Sequence, residues 1–195
     1  MNVNYLFMKI LVVIGSIREG RMGDKVGNWV IEQSKKRTDV QYELFDLKDH
    51  PMKLYEEPGY PAMMNANTSD EVANKWIKKV AESDGFVFIT PEYNHGTSSA
   101  LKNAIDYPYN EWVKKPVAFV GYGGMSGGAR AVEQLRTNFI ELQTVVIREG
   151  VLIQFISSKI KEGVLSVDEH VESGMEKTFA QLEWYAKVLK TARES

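Results

Sequence analysis

The stretch Met8–Gly23, MKILVVIGSIREGRMG, decides the fold class. Its first seven residues form an apolar run with β-branched side chains, the pattern of a strand buried on both faces of a sheet. From Gly15 to Gly23 the composition changes to three glycines and two arginines in nine residues, which makes a poor strand and a suitable cradle for an anion. Val26, Trp29, Val30 and Gln33 then recur at helical spacing, predicting a helix over about 22–36. A buried strand, a glycine-rich loop and a helix together open a βα unit.

The same alternation continues along the chain. QYELF (41–45) reads as a second strand near a sheet edge. The long connection from Asp46 to Asp70 holds three of the six prolines, and loops of that length often carry function. Ser69 is the expected cap of a helix showing Val72, Trp76, Ile77 and Val80 on one face. GFVFIT (85–90) is a third strand, and the helix marked by Ala100, Leu101, Ala104 and Ile105 should stop before Pro108. PVAFVGY (116–122) gives a fourth strand, 129–139 a fourth helix, and 144–155 a fifth strand around TVVIREGVL. A last amphipathic helix carries Val171, Met175, Phe179, Leu182, Ala186 and Leu189. Five strands alternating with helices predict an α/β protein, its parallel sheet covered on both faces. Right-handed crossovers leave two common topologies, the flavodoxin-like order 2-1-3-4-5 and the nucleotide-binding half of a Rossmann fold.

At 195 residues the chain is read as a single domain, 1–195, with a core over about 8–155 and a C-terminal amphipathic helix over about 168–192. A domain of that size buries roughly 70% of its unfolded surface. There is no cysteine, so disulfides, thiolate metal sites and cysteine nucleophiles are excluded, and a reducing cytoplasm suits such a sequence. Lys and Arg number 24 against 26 Asp and Glu, so the basic excess of a nucleic-acid binder is missing. The opening apolar run lacks the leading basic segment of a signal peptide and is too short for a membrane span. The expectation is a cytoplasmic protein with neither nucleic-acid nor membrane partners.

In parallel sheets ligands sit beyond the carboxyl ends of the strands, where strand order reverses. The loops after strands one, three and four read GSIREGRMGD, TPEYNHGTSS and GYGGMSGGAR, and under order 2-1-3-4-5 they would meet. Gly15 and Gly20 have the spacing of a triphosphate loop, but Arg21 and Met22 stand where it needs lysine and a hydroxyl. The dinucleotide fingerprint fails at Ile17, where its middle glycine should be. A single terminal phosphate remains, with Ser16, Arg18 and the amides before the helix as donors, and Arg21 expected on the surface. Tyr93 offers an aromatic face, and Asn94, His95 and Gly96 offer backbone donors where the next helix is expected to start. Gly123, Gly124 and Ser126 allow close backbone approach to a planar ligand. A phosphate at one end and a flat ring at the other describe a mononucleotide, and flavin mononucleotide fits best.

GSIREGRMG, PEYNHGTSSALKNAID and GGMSGGARAVEQLR, in this order, resemble the NADPH-dependent FMN reductase family of flavodoxin-like proteins, which includes quinone, azo-dye and chromate reductases. The resemblance runs from about Met8 to Leu152. It implies a flavodoxin-like three-layer sandwich of order 2-1-3-4-5 with non-covalent FMN and NADPH or NADH as co-substrate. Ser16 and Arg18, with Met22 and Gly23, would hold the phosphate; Pro91, Glu92, Tyr93 and Asn94, with Gly123 and Ser126, would line the isoalloxazine. Some members carry serine or asparagine where this chain has Met22, Gly23 and Asp24.

The reaction expected is hydride transfer from NAD(P)H to flavin N5 and onward to a small-molecule acceptor, with no catalytic side chain and no metal. Glu92 reads as a hydrogen-bonding group rather than an acid–base catalyst, and His50, His95 and His170 lack metal-ligand spacing. The aromatic run YPYNEW (107–112) suits either a cap on the core or a subunit contact, and the resemblance implies a homodimer or homotetramer whose partner borders the flavin. The acceptor pocket is expected from the Asp46–Asp70 loop, with a partner subunit as a further contributor. The alternative function is an electron-transfer carrier that holds FMN without oxidising NAD(P)H.

Overall fold

The computed structural model describes residues 7–64 and 67–195. Strands β1 (Met8–Ile14), β2 (Val40–Asp46), β3 (Gly85–Pro91) and β4 (Pro116–Tyr122) are joined by parallel crossovers. Helices α1 (Gly23–Ser34), α3 (Glu71–Glu82), α4 (Ser99–Asp106) and α5 (Ala129–Glu141) lie between and after them, with a one-turn α2 (Pro61–Met64) in the long connection. The sheet order is β2-β1-β3-β4 and then β5 (Val145–Val146), the flavodoxin-like order.

The expected fifth strand is broken. β5 (Val145–Val146) and β6 (Val151–Ile153) pair separately with β4, at Pro116–Val117 and at Val120–Tyr122. The polar insertion Arg148–Glu149–Gly150 interrupts an apolar run that periodicity alone reads as continuous. A short α6 (Ile156–Lys159) and a hairpin of β7 (Ile160–Lys161) and β8 (Val164–Leu165) follow, then α7 (Glu169–Glu194).

Side-chain alternation along β1 fixes the layers. Ile10, Val12 and Ile14 pack with Val26 and Val30 of α1 and with Met175, Phe179 and Leu182 of α7. Leu11 and Val13 face the opposite layer, with Trp76 and Ile77 of α3, Leu101 and Ile105 of α4, and Leu135 and Phe139 of α5. The run 107–112 belongs to this second layer. Tyr107 and Trp112 are buried, and Trp112 lies edge-on to Trp76, Phe86 and Phe139, so these two rings complete the core and offer no subunit contact.

Helix starts differ from expectation by local chemistry. Asp70, rather than Ser69, caps α3 by accepting from the amides of Val72 and Ala73, while Ser69 is held by Glu57. The helix after β3 begins at Ser99, with Ser98 as its cap, well past Asn94–Gly96. Among the described residues no helix is long and apolar enough to cross a membrane.

Candidate functional site

The registers Ile14↔Ile89 and Pro91↔Tyr122 bring the carboxyl ends of β1, β3 and β4 side by side. Gly15 extends the ladder by one bond, its amide donating to Ile89 O at 2.9 Å. A Cβ at Gly15 would meet Leu101 Cδ2 at 2.7 Å and Ile89 O at 2.9 Å, so only glycine lets the chain leave the sheet there. Ser98 donates to Gly15 O and so joins the first loop to α4.

Within the first loop the two arginines have opposite roles. Arg21, expected on the surface, is largely covered at the wall of the cleft: Nη1 donates to Ser16 O and to Asp46 Oδ1, each at 2.6 Å, and Nη2 donates to Asp46 Oδ2. Its guanidinium is consumed in bracing the loop against the end of β2. Arg18 is exposed and, among the described residues, has no ion-pair partner. The amides of Ile17, Arg18, Met22 and Gly23 likewise have no acceptor among the described residues. Unpaired amides, a free guanidinium and the N-terminus of a twelve-residue helix converge on one place, as anion binding requires.

In the second loop Asn94 and His95 have φ of 51° and 68°, and Tyr93 and Gly96 exchange backbone hydrogen bonds at 2.8 and 3.0 Å. This is a two-residue turn of the I′ kind, for which asparagine is well suited. It folds Tyr93 back over the first loop, where its hydroxyl lies 2.7 Å from that of Ser16. In the third loop Gly128, at φ 90°, passes so close to β4 that a Cβ would sit 2.6 Å from Tyr122 N. Gly128 leaves α5 without a side-chain cap, and Glu92 supplies one from the neighbouring loop. Its Oε2 accepts from Arg130 N at 3.1 Å and from Ser126 Oγ at 2.9 Å, and Oε1 accepts from Arg130 Nε at 2.6 Å. Burial opposes the charge on Glu92, but the Arg130 and Ser126 bonds outweigh it and hold the carboxyl below its ordinary range.

Between these loops lies a cleft of about 420 Å³, a size common for small-molecule sites. Of the residues singled out from the sequence, Arg18, Arg21, Met22, Pro91, Glu92, Tyr93, Gly123 and Gly124 line it. Ser16 lies buried behind Tyr93, Gly23 beside Tyr122, Ser126 turned onto Glu92, and Asn94 exposed on its turn. Among the described residues of 46–70 none lines the cleft, so this part of the long loop expected to build an acceptor pocket does not contribute to the wall.

Sequence reasoning missed a fourth wall, Phe155 to Ser158. Phe155 N donates to Gly124 O at 2.9 Å, Ile156 N to Gly123 O at 3.0 Å, and Gln154 Nε2 to Met125 O at 2.7 Å, clamping this segment to the third loop. Phe155 itself is 57% exposed at φ 49°, an unusual backbone for a bulky residue. Tyr122 was also missed. Its hydroxyl is buried close to those of Ser16 and Tyr93 but completes no hydrogen bond among the described residues, and burial pushes its pKa above the ordinary value. An orphaned donor facing a cleft beside an anion cradle is what a missing ligand leaves behind. The residues present therefore fit a mononucleotide.

The comparisons with known proteins agree with that chemistry. A family model described as NADPH-dependent FMN reductase matches residues 8–157. The chain is similar to an NAD(P)H-dependent FMN reductase of Schizosaccharomyces pombe, 40% identical over 166 residues that cover 84% of this chain and 80% of the relative. It is 33% identical over 136 residues to an NAD(P)H:quinone oxidoreductase of Solanum tuberosum, with 66% of each chain covered. Among solved structures, the NAD(P)H:(acceptor) oxidoreductase FerB of Paracoccus denitrificans superposes with a TM-score of 0.72 at 23% identity, over 92% of this chain and 98% of that one, a likeness of fold.

Proposed function

Since the chain belongs to the NADPH-dependent FMN reductase family and is an NAD(P)H-dependent flavin oxidoreductase, we propose that the four-walled cleft is its active site and that a flat aromatic molecule such as a quinone is its electron acceptor. The observation that carries the reading is the set of donors left unpaired at one end of the cleft: Arg18, the amides of residues 17, 18, 22 and 23, and the Tyr122 hydroxyl.

FMN, when bound, would supply the two-electron redox chemistry that links NAD(P)H to the acceptor. The protein's part is to bind and orient. Arg18 and the loop amides hold the phosphate, and Ser16 acts through Tyr93, whose ring and Pro91 form the floor. Gly123 and Gly124 bring backbone close to a planar ring without side-chain obstruction. Glu92, neutralised by Arg130, fixes the second loop against the third and presents no free carboxylate to a ring that gains negative charge on reduction. Asn94 and Ser126 complete the lining through the turn and through Glu92. Phe155, 57% exposed at the cleft mouth, gives the acceptor an apolar surface.

We read residues 1–195 as one domain, since α7 shares its apolar cluster with β1 and α1, and the protein as a cytoplasmic homodimer or homotetramer. Light scattering after size-exclusion chromatography, giving a monomer at high concentration, would refute the oligomer. The function is tested by anaerobic titration of FMN-reconstituted protein with NADPH while following the visible flavin bands. Bleaching at one equivalent, with colour retained through gel filtration and restored by a quinone, is expected. Bound FMN that NADPH fails to bleach would instead describe an electron carrier.

A further inference from the structure

β4 ends in Tyr122, a 5% exposed residue whose buried hydroxyl lies near those of Ser16 and Tyr93, which bond to each other, and completes no hydrogen bond of its own among the described residues. Native structures seldom leave such a group unpaired without a reason. Its position supplies one. A Cβ built on Gly23, the first residue of α1, would stand 2.8 Å from the Tyr122 oxygen. The hydroxyl thus occupies the space that a side chain at position 23 would fill, at the N-terminus of the helix and beside the unbonded amides of Met22 and Gly23. Neither Met22 nor Gly23 carries a side-chain donor.

We propose that Tyr122 donates its hydroxyl to the phosphate of the bound mononucleotide, delivering from β4 the donor that the first loop lacks at position 23; this rests on the FMN reading above. The other unpaired groups at this end of the cleft, Arg18 and the loop amides, are donors as well, so the matching ligand surface is an anion rich in acceptors. Burial keeps the phenol protonated, which preserves it as a donor across the physiological range. The glycine at 23 and the tyrosine at 122 form a complementary pair: a serine at 23 would collide with the tyrosine oxygen, whereas with that oxygen removed its nearest ring neighbour is Cζ at 3.5 Å, an ordinary contact. Ile14 Cγ2, at 3.1 Å, must yield by a few tenths of an ångström.

The test titrates FMN and riboflavin separately into apoprotein, reading flavin fluorescence. Tyr122→Phe should weaken FMN about ten-fold, as expected for a hydrogen bond to a charged group, and leave riboflavin within about two-fold. Gly23→Ser added to Tyr122→Phe should restore most of the FMN affinity. The melting temperature of the apoprotein should stay level or rise with Tyr122→Phe, because no completed hydrogen bond is lost. Equal losses for both flavins would place the hydroxyl against the ribityl chain or ring and overturn the assignment. So would unchanged FMN binding, no rescue by serine, or a lowered apoprotein melting temperature. Wild-type protein that binds neither flavin would instead overturn the cofactor reading, and the assignment with it.

Discussion

The hydroxyls of Ser16 and Tyr93 lie 2.7 Å apart, joining the loop after β1 to the loop after β3 across 77 residues of sequence. Ser16 is fully buried, so removing its partner leaves a hydroxyl that must find another. Tyr93→Phe should lower stability by about 1 kcal/mol, read by urea unfolding, and weaken FMN a few-fold. If FMN affinity stayed at the wild-type value, the bond would be a fold contact with no part in presenting the first loop.

The two arginines of that loop should separate cleanly. Arg18 touches no acidic group among the described residues, and Arg18→Ala is expected to weaken FMN ten-fold or more with the melting temperature intact. Arg21 and Asp46 are 11% and 14% exposed, and Arg21→Ala would strand a largely buried carboxylate. A stability loss of about 3 kcal/mol is expected there. Paired denaturation and flavin titrations on both variants decide it; exchanged phenotypes would reverse the assignment of the two side chains.

Glu92 makes the link between the second and third loops sensitive to acid. Its folded-state pKa lies below the ordinary value of 4.5, so its contribution is complete above that value and is lost as pH falls through the depressed one. The stability gap between wild type and Glu92→Gln should therefore be constant from pH 7 to 5 and shrink in stronger acid. A gap that did not move with pH would show that the carboxylate charge is idle.

These dependencies explain which parts of the molecule the sequence disclosed. β1, β3 and β4 were legible because strands buried on both faces leave unbroken apolar runs, and their loops because glycine and asparagine mark sharp turns. Arg21 was misjudged because its partner, Asp46, is 25 residues away and is brought near only by sheet order. Tyr122 was hidden at the end of an apolar strand, where a tyrosine looks like core until its hydroxyl proves unpaired. Tyr107 and Trp112 were ambiguous for a related reason: an aromatic run records that surface must be buried, but the neighbours that bury it, Tyr55 for Tyr107 and Trp76 and Phe139 for Trp112, are set by tertiary packing. The Phe155 wall was lost with the fifth strand, whose break at 148–150 determines where the chain turns back over the cleft.

At the cleft mouth, Phe155→Ala removes the exposed ring while the backbone bonds from Phe155 and Ile156 to Gly124 and Gly123 can persist. The KM for a naphthoquinone should rise several-fold, and binding of the oxidised quinone to oxidised holoprotein, followed by difference spectra without reductant, should weaken in parallel. FMN affinity and the KM for ferricyanide, which offers no flat face, should stay put. A change in FMN affinity instead would assign the ring to the cofactor.

Lys115 tests the fold away from the site. Its ammonium is buried and donates to Val80 O at 2.7 Å and Ala81 O at 2.8 Å, closing the C-terminus of α3. Burial first, then the neighbouring Arg193, lowers its pKa from 10.5 to about 8, against the pull of Asp84 and Glu111. Below about pH 8 both folded and unfolded chains carry the charge, and the cost of burying it is fully present. Between that pH and 10.5 the unfolded chain binds the extra proton, so stability rises with pH. At about 1.4 kcal/mol per pH unit, wild type should gain about 3 kcal/mol over Lys115→Met across this interval, measured by urea unfolding at matched ionic strength. A flat difference would mean that water reaches the ammonium and that the two carbonyls of α3 hold it without desolvating it.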